Sequence, residues 1–136
     1  MKQGYQFELE LAVRDYECDF QGIVNNSIYL NYLEHTRHEF IKTVGLDIMK
    51  LHEEGIDMVV ARLEMAFQAP LKSGDKFLSC LNFRKDGLKY LFQQEIFRLP
   101  DMKRAIKATV TGVAMVNGKL SNVDKIEKIL QGHQAG

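Results

Sequence analysis

The chain has 136 residues and is 46% hydrophobic, which suits one domain with a buried core and is too short for two ordinary domains. Its eighteen basic residues balance eighteen acidic ones, so the composition gives no indication of binding to nucleic acid or an anionic membrane. The segment MKQGYQFELELAVRD lacks the apolar region of a signal peptide, and no segment approaches the roughly 18 apolar residues of a membrane span. We therefore expect one domain over residues 1–136, located in the cytoplasm.

The cysteines and histidines give no indication of a metal or redox site. Cys18 and Cys80 lie far apart without CxxC spacing, and they are predicted to be reduced structural thiols. His35 and His38 are three residues apart, but no cysteine or carboxylate cluster accompanies them. Neither a metal nor another cofactor is expected.

The first predicted element is a strand over residues 6–14. Four apolar residues alternate there with polar ones: Phe7, Leu9, Leu11 and Val13. The following segment, DYECDFQGIV, breaks this alternation and is predicted to be a loop.

A long helix is predicted over residues 27–44, with a length of about 27 Å. Its apolar side is formed by residues spaced four, three and four apart: Tyr29, Leu33, Thr36 and Phe40. Asn25, Asn26 and Ser27 are all favourable N-cap residues, and Gly45 suits the position just after the helix. The wide apolar side requires a large partner surface.

The second half of the chain supplies that surface as strands. Five residues of the next strand are predicted to share one face: Val59, Ala61, Leu63, Met65 and Phe67. Three further strands are separated by the turn-forming segments PLKSGD, KDG and LPD, and the segment SNVDKIEKIL predicts a short closing helix.

Short turns require antiparallel pairing, so the sequence predicts an α+β fold with an antiparallel sheet packed against one helix. One helix leaves part of such a sheet uncovered. We therefore expect an edge or face of the sheet to pair with a second copy of the chain.

The order of elements, together with DFQGIVNNSIYLNYLEHTRHEFI over residues 19–41, resembles the hotdog-fold thioesterases. The greatest resemblance is to the 4-hydroxybenzoyl-CoA thioesterase and acyl-CoA thioester hydrolase family. The pattern is Asp19, two residues, Gly22, an apolar residue and Val24, followed by Tyr29 inside the helix. The resemblance implies a curved antiparallel sheet wrapped around one long central helix. It also implies hydrolysis of acyl-CoA by a homodimer or homotetramer.

Two departures from the family pattern bear on the substrate. Asn26 occupies a position where many acyl-CoA members of the family carry a catalytic histidine. The VNN segment also resembles the acyl-carrier-protein thioesterases, but Gln21 and Ile23 stand where those proteins have Asn and His. CoA is therefore the predicted carrier, with acyl carrier protein as the alternative.

The resemblance assigns roles to residues at the start of the helix. Asp19 is the predicted general base or nucleophile, and the backbone amide of Asn26 is the predicted oxyanion donor. Gly22 lets the loop turn tightly, and Asn25 and Tyr29 are predicted to lie near the substrate.

Arg84 and Lys85, beside the KDG turn, are predicted to contact the phosphates of CoA. A solvated hairpin tip is the alternative interpretation of this basic pair.

Other interpretations of the loop acids remain open. Asp19 is also suited to capping a turn. Asp15 and Glu17 are interpreted as solvated acids, with Glu17 a second candidate for the base. Two other functions fit the fold: a hotdog dehydratase, disfavoured because residues 19–27 contain no histidine, and a non-catalytic acyl-ligand binding protein.

Overall fold

The computed structural model describes residues 4–135, and it describes side chains up to residue 129. Within this range the chain forms three α-helices, α1 (Asn26–Thr43), α2 (Ile48–Glu53) and α3 (Asp124–Ala135). The strands are β1 (Phe7–Ala12), β2 (Ile56–Phe67), β3 (Lys76–Asp86), β4 (Lys89–Arg98), β5 (Arg104–Val116) and β6 (Lys119–Leu120).

The strands form one antiparallel sheet in the order β1-β3-β4-β5-β2, and β6 pairs with β5. Helix α1 packs on one face of this sheet, which we call the inner face. On β3 the inner face is formed by alternate residues, namely Phe77, Ser79, Leu81 and Phe83. The predicted α+β class, with a sheet packed against one long helix, is confirmed.

Helix α1 contributes the residues that join it to the sheet. Leu33 and Phe40 are fully buried, and Tyr29 and Tyr32 are nearly so. Burial of each such side chain contributes on the order of 1.5–3 kcal/mol to folding. The helix begins at Asn26 and ends at Thr43, each one residue earlier than predicted.

The caps of α1 follow the predicted chemistry. The Asn25 side chain accepts hydrogen bonds from the Ser27 backbone N–H at 3.1 Å and from the Ser27 hydroxyl at 3.0 Å. Gly45 follows the C-cap residue Val44 with a φ of 85°, as expected for the position just after a helix.

Two short elements and one face assignment differ from the sequence predictions. Helix α2 and strand β6 were not predicted. A β-bulge between Val60 and Arg62 shifts the register of β2, so Val59 lies on the outer face while Val60 and Leu63 share the inner face. The prediction that Val59, Ala61 and Leu63 share one face is therefore wrong.

The helices within residues 4–135 are too short or too polar to cross a lipid bilayer.

Candidate active site

Residues 18–24 form a tight hairpin-like loop directly before α1. Asp19 N–H donates to the Ile23 carbonyl at 2.9 Å, and Gly22 N–H donates to the Asp19 carbonyl at 2.9 Å. Cys18 and Val24 pair as an antiparallel bridge. Gly22 has a φ of 81°, which lies in the left-handed region. In a hairpin loop of three residues, here Phe20, Gln21 and Gly22, the third residue forms a bulge and commonly adopts this conformation. The loop is therefore fixed by backbone hydrogen bonds, and residue 22 has a backbone conformation that favours glycine.

The Asp19 side chain is half-buried and uses one of its two carboxylate oxygens within the loop. Its Oδ1 accepts a hydrogen bond from the Gln21 backbone N–H at 2.8 Å, which is the turn-capping role considered above. Among the described residues, no hydrogen-bond donor contacts Oδ2. The capping bond thus orients the carboxylate within the loop and involves only one of its two oxygens.

The N-cap and the first two residues of α1 present three backbone N–H groups near this loop, and two of them are occupied. Asn25 N–H donates to the Glu17 carbonyl at 3.1 Å, and Ser27 N–H donates to the Asn25 side chain. The Asn26 N–H has no acceptor within residues 4–135. It lies at the positive end of the helix dipole, where a developing negative charge is stabilised.

Glu17 differs from its sequence interpretation. It is 8% exposed, and its Oε1 accepts hydrogen bonds from the Tyr32 hydroxyl at 2.9 Å and the Arg14 N–H at 2.8 Å. The interpretation of Glu17 as a solvated acid is wrong, because a side chain from the second turn of α1 covers it. Asp15 is exposed, as predicted, and accepts a hydrogen bond from the Ser73 hydroxyl.

Cys18 lies between the two acids but is poorly suited to act as a nucleophile. Burial raises the pKa of its thiol, and the negative charges of Asp15 and Asp19 raise it further. A thiol with a raised pKa carries little thiolate at neutral pH, so it reacts slowly.

Tyr29 lies in the core beside the loop. Its hydroxyl accepts a hydrogen bond from the Leu71 N–H at 3.1 Å, and its ring packs edge-on against Phe67 of β2. Tyr29 thereby joins the start of α1 to the segment before β3. Its role in lining the acyl site stays a prediction.

Arg84 and Lys85 do not lie beside the loop in the same copy of the chain. Phe77, at the start of β3, packs against Tyr32 near the loop, and Arg84 lies seven residues further along the strand, a distance of about 23 Å. Arg84 is exposed, whereas the side chain of Lys85 is only 6% exposed. The Lys85 Nζ lies 2.8 Å from the Asn122 Oδ1 and 5.0 Å from the centre of the Tyr90 ring.

A cavity of about 230 Å³ lies between α1 and the inner face of β2 and β5. Its apolar lining includes Ile41, Ile48, Met58, Val60, Phe92 and Val110. Arg37 borders it, and its Nη1 donates to Gln94 Oε1 at 3.0 Å, while Gln94 Nε2 donates to the Leu33 carbonyl at 3.0 Å. Sequence reasoning missed this polar relay, because a glutamine within an apolar strand gives no local signal of its partners.

The model of the Thioesterase-like superfamily matches residues 13–131. This chain belongs to that superfamily. A chloroplastic acyl-acyl carrier protein thioesterase of Arabidopsis thaliana, ATL2, is 38% identical over 113 residues, which are 81% of this chain and 59% of that protein. The chain thus spans about three-fifths of the length of this curated relative.

Two solved structures share the fold. A 1,4-dihydroxy-2-naphthoyl-CoA thioesterase from Synechocystis has a TM-score of 0.86 at 16% identity, covering 92% of this chain and 95% of that one. A thioesterase from Thermus thermophilus, complexed with coenzyme A and Zn, has a TM-score of 0.83 at 21% identity and covers 99% of both chains. The fold is the predicted hotdog fold.

Proposed function

We propose that this thioesterase-like protein hydrolyses acyl-CoA to a free carboxylic acid and the CoA thiol. One observation carries the proposal: the Asp19 Oδ2 and the Asn26 N–H remain without partners among the described residues, while Asp19 Oδ1 and the N–H groups of Asn25 and Ser27 are hydrogen-bonded. These two groups flank one rigid loop. A thioester needs both a group that organises attack on its carbonyl carbon and a donor for the resulting oxyanion.

In the proposed reaction Asp19 acts on the carbonyl carbon in one of two ways. It removes a proton from an attacking water, or it attacks directly and forms an anhydride that water then opens. In the general-base route the C–S bond breaks and Asp19 passes the proton taken from water to the departing sulfur. In the anhydride route the sulfur leaves as a thiolate that takes a proton from solvent, and hydrolysis of the anhydride then releases the acid and regenerates the Asp19 carboxylate. The Asn26 N–H stabilises the oxygen that becomes negative.

The names of the relatives support either carrier. The similar Synechocystis protein is named for a CoA thioester and the Thermus thermophilus structure contains coenzyme A, whereas the Arabidopsis relative is named for acyl carrier protein. We propose CoA because Gln21 and Ile23 replace the Asn and His of the carrier-protein enzymes. Measuring kcat/KM for one acyl group on both carriers distinguishes these possibilities, and a higher value for acyl carrier protein would reverse the assignment.

The acyl group is proposed to enter beside α1 near Tyr29 and to extend along β2 toward the cavity, whose helix residues 34–41 lie roughly 12–22 Å from Asn26 along α1. At about 230 Å³ this cavity is smaller than the roughly 300–1,000 Å³ of most ligand sites. It opens next to β2, which forms one edge of the sheet. We propose that a second copy of the chain pairs at this edge and completes the acyl site in a homodimer, or in a homotetramer built from such dimers.

The nucleotide part of CoA is proposed to contact Arg84, which is exposed, and Lys85. Lys85 would have to exchange its contacts with Asn122 and with the Glu127 carboxylate, which lies 3.9 Å away, for a phosphate. Because both residues lie far along β3 from Asp19, they would act at the distal end of an extended carrier, or on a site of the second copy.

The test of the proposed function is thiol release from a panel of aromatic, short-chain and long-chain acyl-CoA thioesters. In Asp19→Asn the turnover of the best substrate is expected to fall by at least about 10²-fold, because the variant keeps the size of the side chain but lacks the reactive carboxylate. Asp15→Asn is the matched control, since it removes an exposed acid from the same segment and should change turnover by less than about threefold. Near-normal turnover in Asp19→Asn would contradict the proposed role.

A further inference from the structure

Glu17 is a buried acid whose hydrogen bonds converge on the two parts of the proposed site. Its carboxylate accepts from the Tyr32 hydroxyl on α1 and from the Arg14 N–H before the loop. Its backbone carbonyl accepts from the N–H of Asn25, the N-cap of α1. One residue is therefore bonded to the body of the helix, to its first turn and to the chain that leads into the loop.

Burial of a carboxylate costs free energy unless hydrogen bonds compensate for the lost water. The nearest positive charge, the Arg14 guanidinium, lies 3.9 Å away on a side chain that is 66% exposed, and such a pair contributes little. The Tyr32 hydroxyl and the Arg14 N–H are therefore the compensating donors, and the Tyr32 hydroxyl is the one that comes from α1. Burial and the hydrogen bond to Glu17 raise the pKa of Tyr32 above its usual value, so this hydroxyl remains a donor at neutral and alkaline pH.

Glu17 lies two residues before Asp19, so its attachment to α1 also restrains the backbone of Asp19. Cys18 follows Glu17 and pairs with Val24, and Asp19 then bonds to Ile23. A shift of Glu17 relative to α1 would move the Asp19 carboxylate relative to the Asn26 N–H.

We propose, on the basis of the proposed function, that Glu17 and Tyr32 are positioning residues that hold the Asp19 loop in register with the first turn of α1. Glu17 touches no substrate and acts through the loop. A displacement of about 1 Å between reacting groups can lower a rate by about 10²-fold, so a hydrogen bond outside the reacting centre can control kcat.

Four variants test this role by thiol release and by thermal unfolding. Glu17→Ala removes the acceptor and is expected to lower kcat by about 10- to 100-fold, with KM changed by less than about threefold. Glu17→Gln is expected to restore kcat to within about threefold of wild type, because a single amide oxygen can accept the two hydrogen bonds that Oε1 now accepts. Tyr32→Phe removes one oxygen and is expected to lower kcat by about 3- to 30-fold.

Ser79→Ala is the control for a general loss of stability. The Ser79 hydroxyl of β3 shares a buried hydrogen bond of 2.6 Å with the Thr36 hydroxyl, and its removal leaves the Thr36 hydroxyl bonded to the Tyr32 carbonyl at 2.8 Å. Its loss should lower the melting temperature about as much as Tyr32→Phe does, while kcat stays within about twofold of wild type. Assays are run well below the melting temperature of every variant.

The outcomes separate the positioning role from other roles. If Glu17→Gln is as slow as Asp19→Asn, Glu17 takes part in the chemistry and the proposal is overturned. If Ser79→Ala loses as much kcat as Tyr32→Phe, the effect is general instability, which also overturns it. Should Glu17→Ala fail to fold, Tyr32→Phe and Glu17→Gln decide.

The Asp19→Asn assay distinguishes the proposed function from this inference. An unchanged rate in Asp19→Asn contradicts the proposed function whatever Glu17 does. A slow Asp19→Asn together with a wild-type rate in Tyr32→Phe and Glu17→Ala contradicts the positioning role alone.

Discussion

Two side-chain contacts of different range hold the start of α1 and the loop before it: the Asn25 cap on Ser27, and the bond of the Tyr32 hydroxyl to Glu17. Asn25 was identified as a possible N-cap because its acceptor lies two residues from the N–H that it caps. The burial of Glu17 was not predicted, because it depends on Tyr32, fifteen residues further along the chain. Local chemistry therefore predicts caps and turns, while the environment of a buried acid depends on the tertiary fold.

Gly22→Ala tests whether the conformation of the loop controls the rate. Gly22 has a φ of 81°, and a Cβ placed there would meet no atom within 4 Å, so the variant should fold with a strain of about 1–2 kcal/mol. Part of that strain can relax by moving Asp19. We expect a lower melting temperature and a kcat reduced by at least about fivefold.

Gly118→Ala is the matched control for this strain. Gly118 has a φ of 82° and the same open surroundings, but it lies in the turn between β5 and β6. Its substitution should lower the melting temperature by a similar amount and leave kcat within about twofold. Equal losses of kcat in the two variants would show that the rate follows global stability and not the loop.

At the scale of elements, the long periodic segments were predicted well and the short ones were not. The eighteen residues of α1 give a clear stripe with caps at both ends, and its predicted bounds were wrong by one residue. The six residues of α2 are too few for periodicity to be recognised. The bulge in β2 depends on its pairing with β5, so sequence alternation alone assigned Val59 to the wrong face.

The end of β3 allows the two predicted phosphate contacts to be tested separately. Arg84 is exposed, so Arg84→Ala should raise KM for acyl-CoA by at least about threefold without changing kcat or the melting temperature. Lys85 is buried against Tyr90 and bonds to Asn122, so Lys85→Ala should also lower the free energy of unfolding, by about 1–3 kcal/mol.

Lys119→Ala controls for the loss of one positive charge, since Lys119 is exposed on β6. It should leave KM unchanged. An unchanged KM in both Arg84→Ala and Lys85→Ala would support the alternative interpretation, in which this pair is a hairpin tip that does not bind phosphate. Lys85 would then only stabilise the segment after β6 through its bond to Asn122.

At the scale of the whole molecule, β2 is the strand with an unpaired edge and exposed apolar side chains in a single copy of the chain. It has twelve residues and is an edge strand of the sheet, paired with β5 on one side only. Its backbone N–H and C=O groups on the other side can pair with a further strand. Its inner face carries apolar side chains that α1 leaves partly exposed: Val60 is 54% exposed, Leu63 40% and Phe67 50%. A second copy was expected because one helix cannot cover the whole sheet. The exposed apolar residues indicate β2 as the edge at which that copy would pair.

Leu63→Lys tests this assembly. A lysine on the inner face of β2 would place a charge where the proposed dimer buries apolar surface, and an unpaired buried charge costs several kcal/mol. Light scattering at micromolar concentration is expected to show an oligomer for wild type and a folded monomer for Leu63→Lys. Thiol release should fall by at least about tenfold in the monomer, because the cavity beside α1 would lose its second wall.

Glu64→Lys is the control, because Glu64 lies on the outer face of the same strand and its side chain is 61% exposed. It introduces the same residue one position away, so it should leave both the oligomer and the rate close to wild type. A wild-type chain that is a stable monomer would contradict pairing at β2 and a shared acyl site together. If Leu63→Lys is a monomer with full activity, the proposed pairing at β2 stands, but the active site is contained in one copy of the chain.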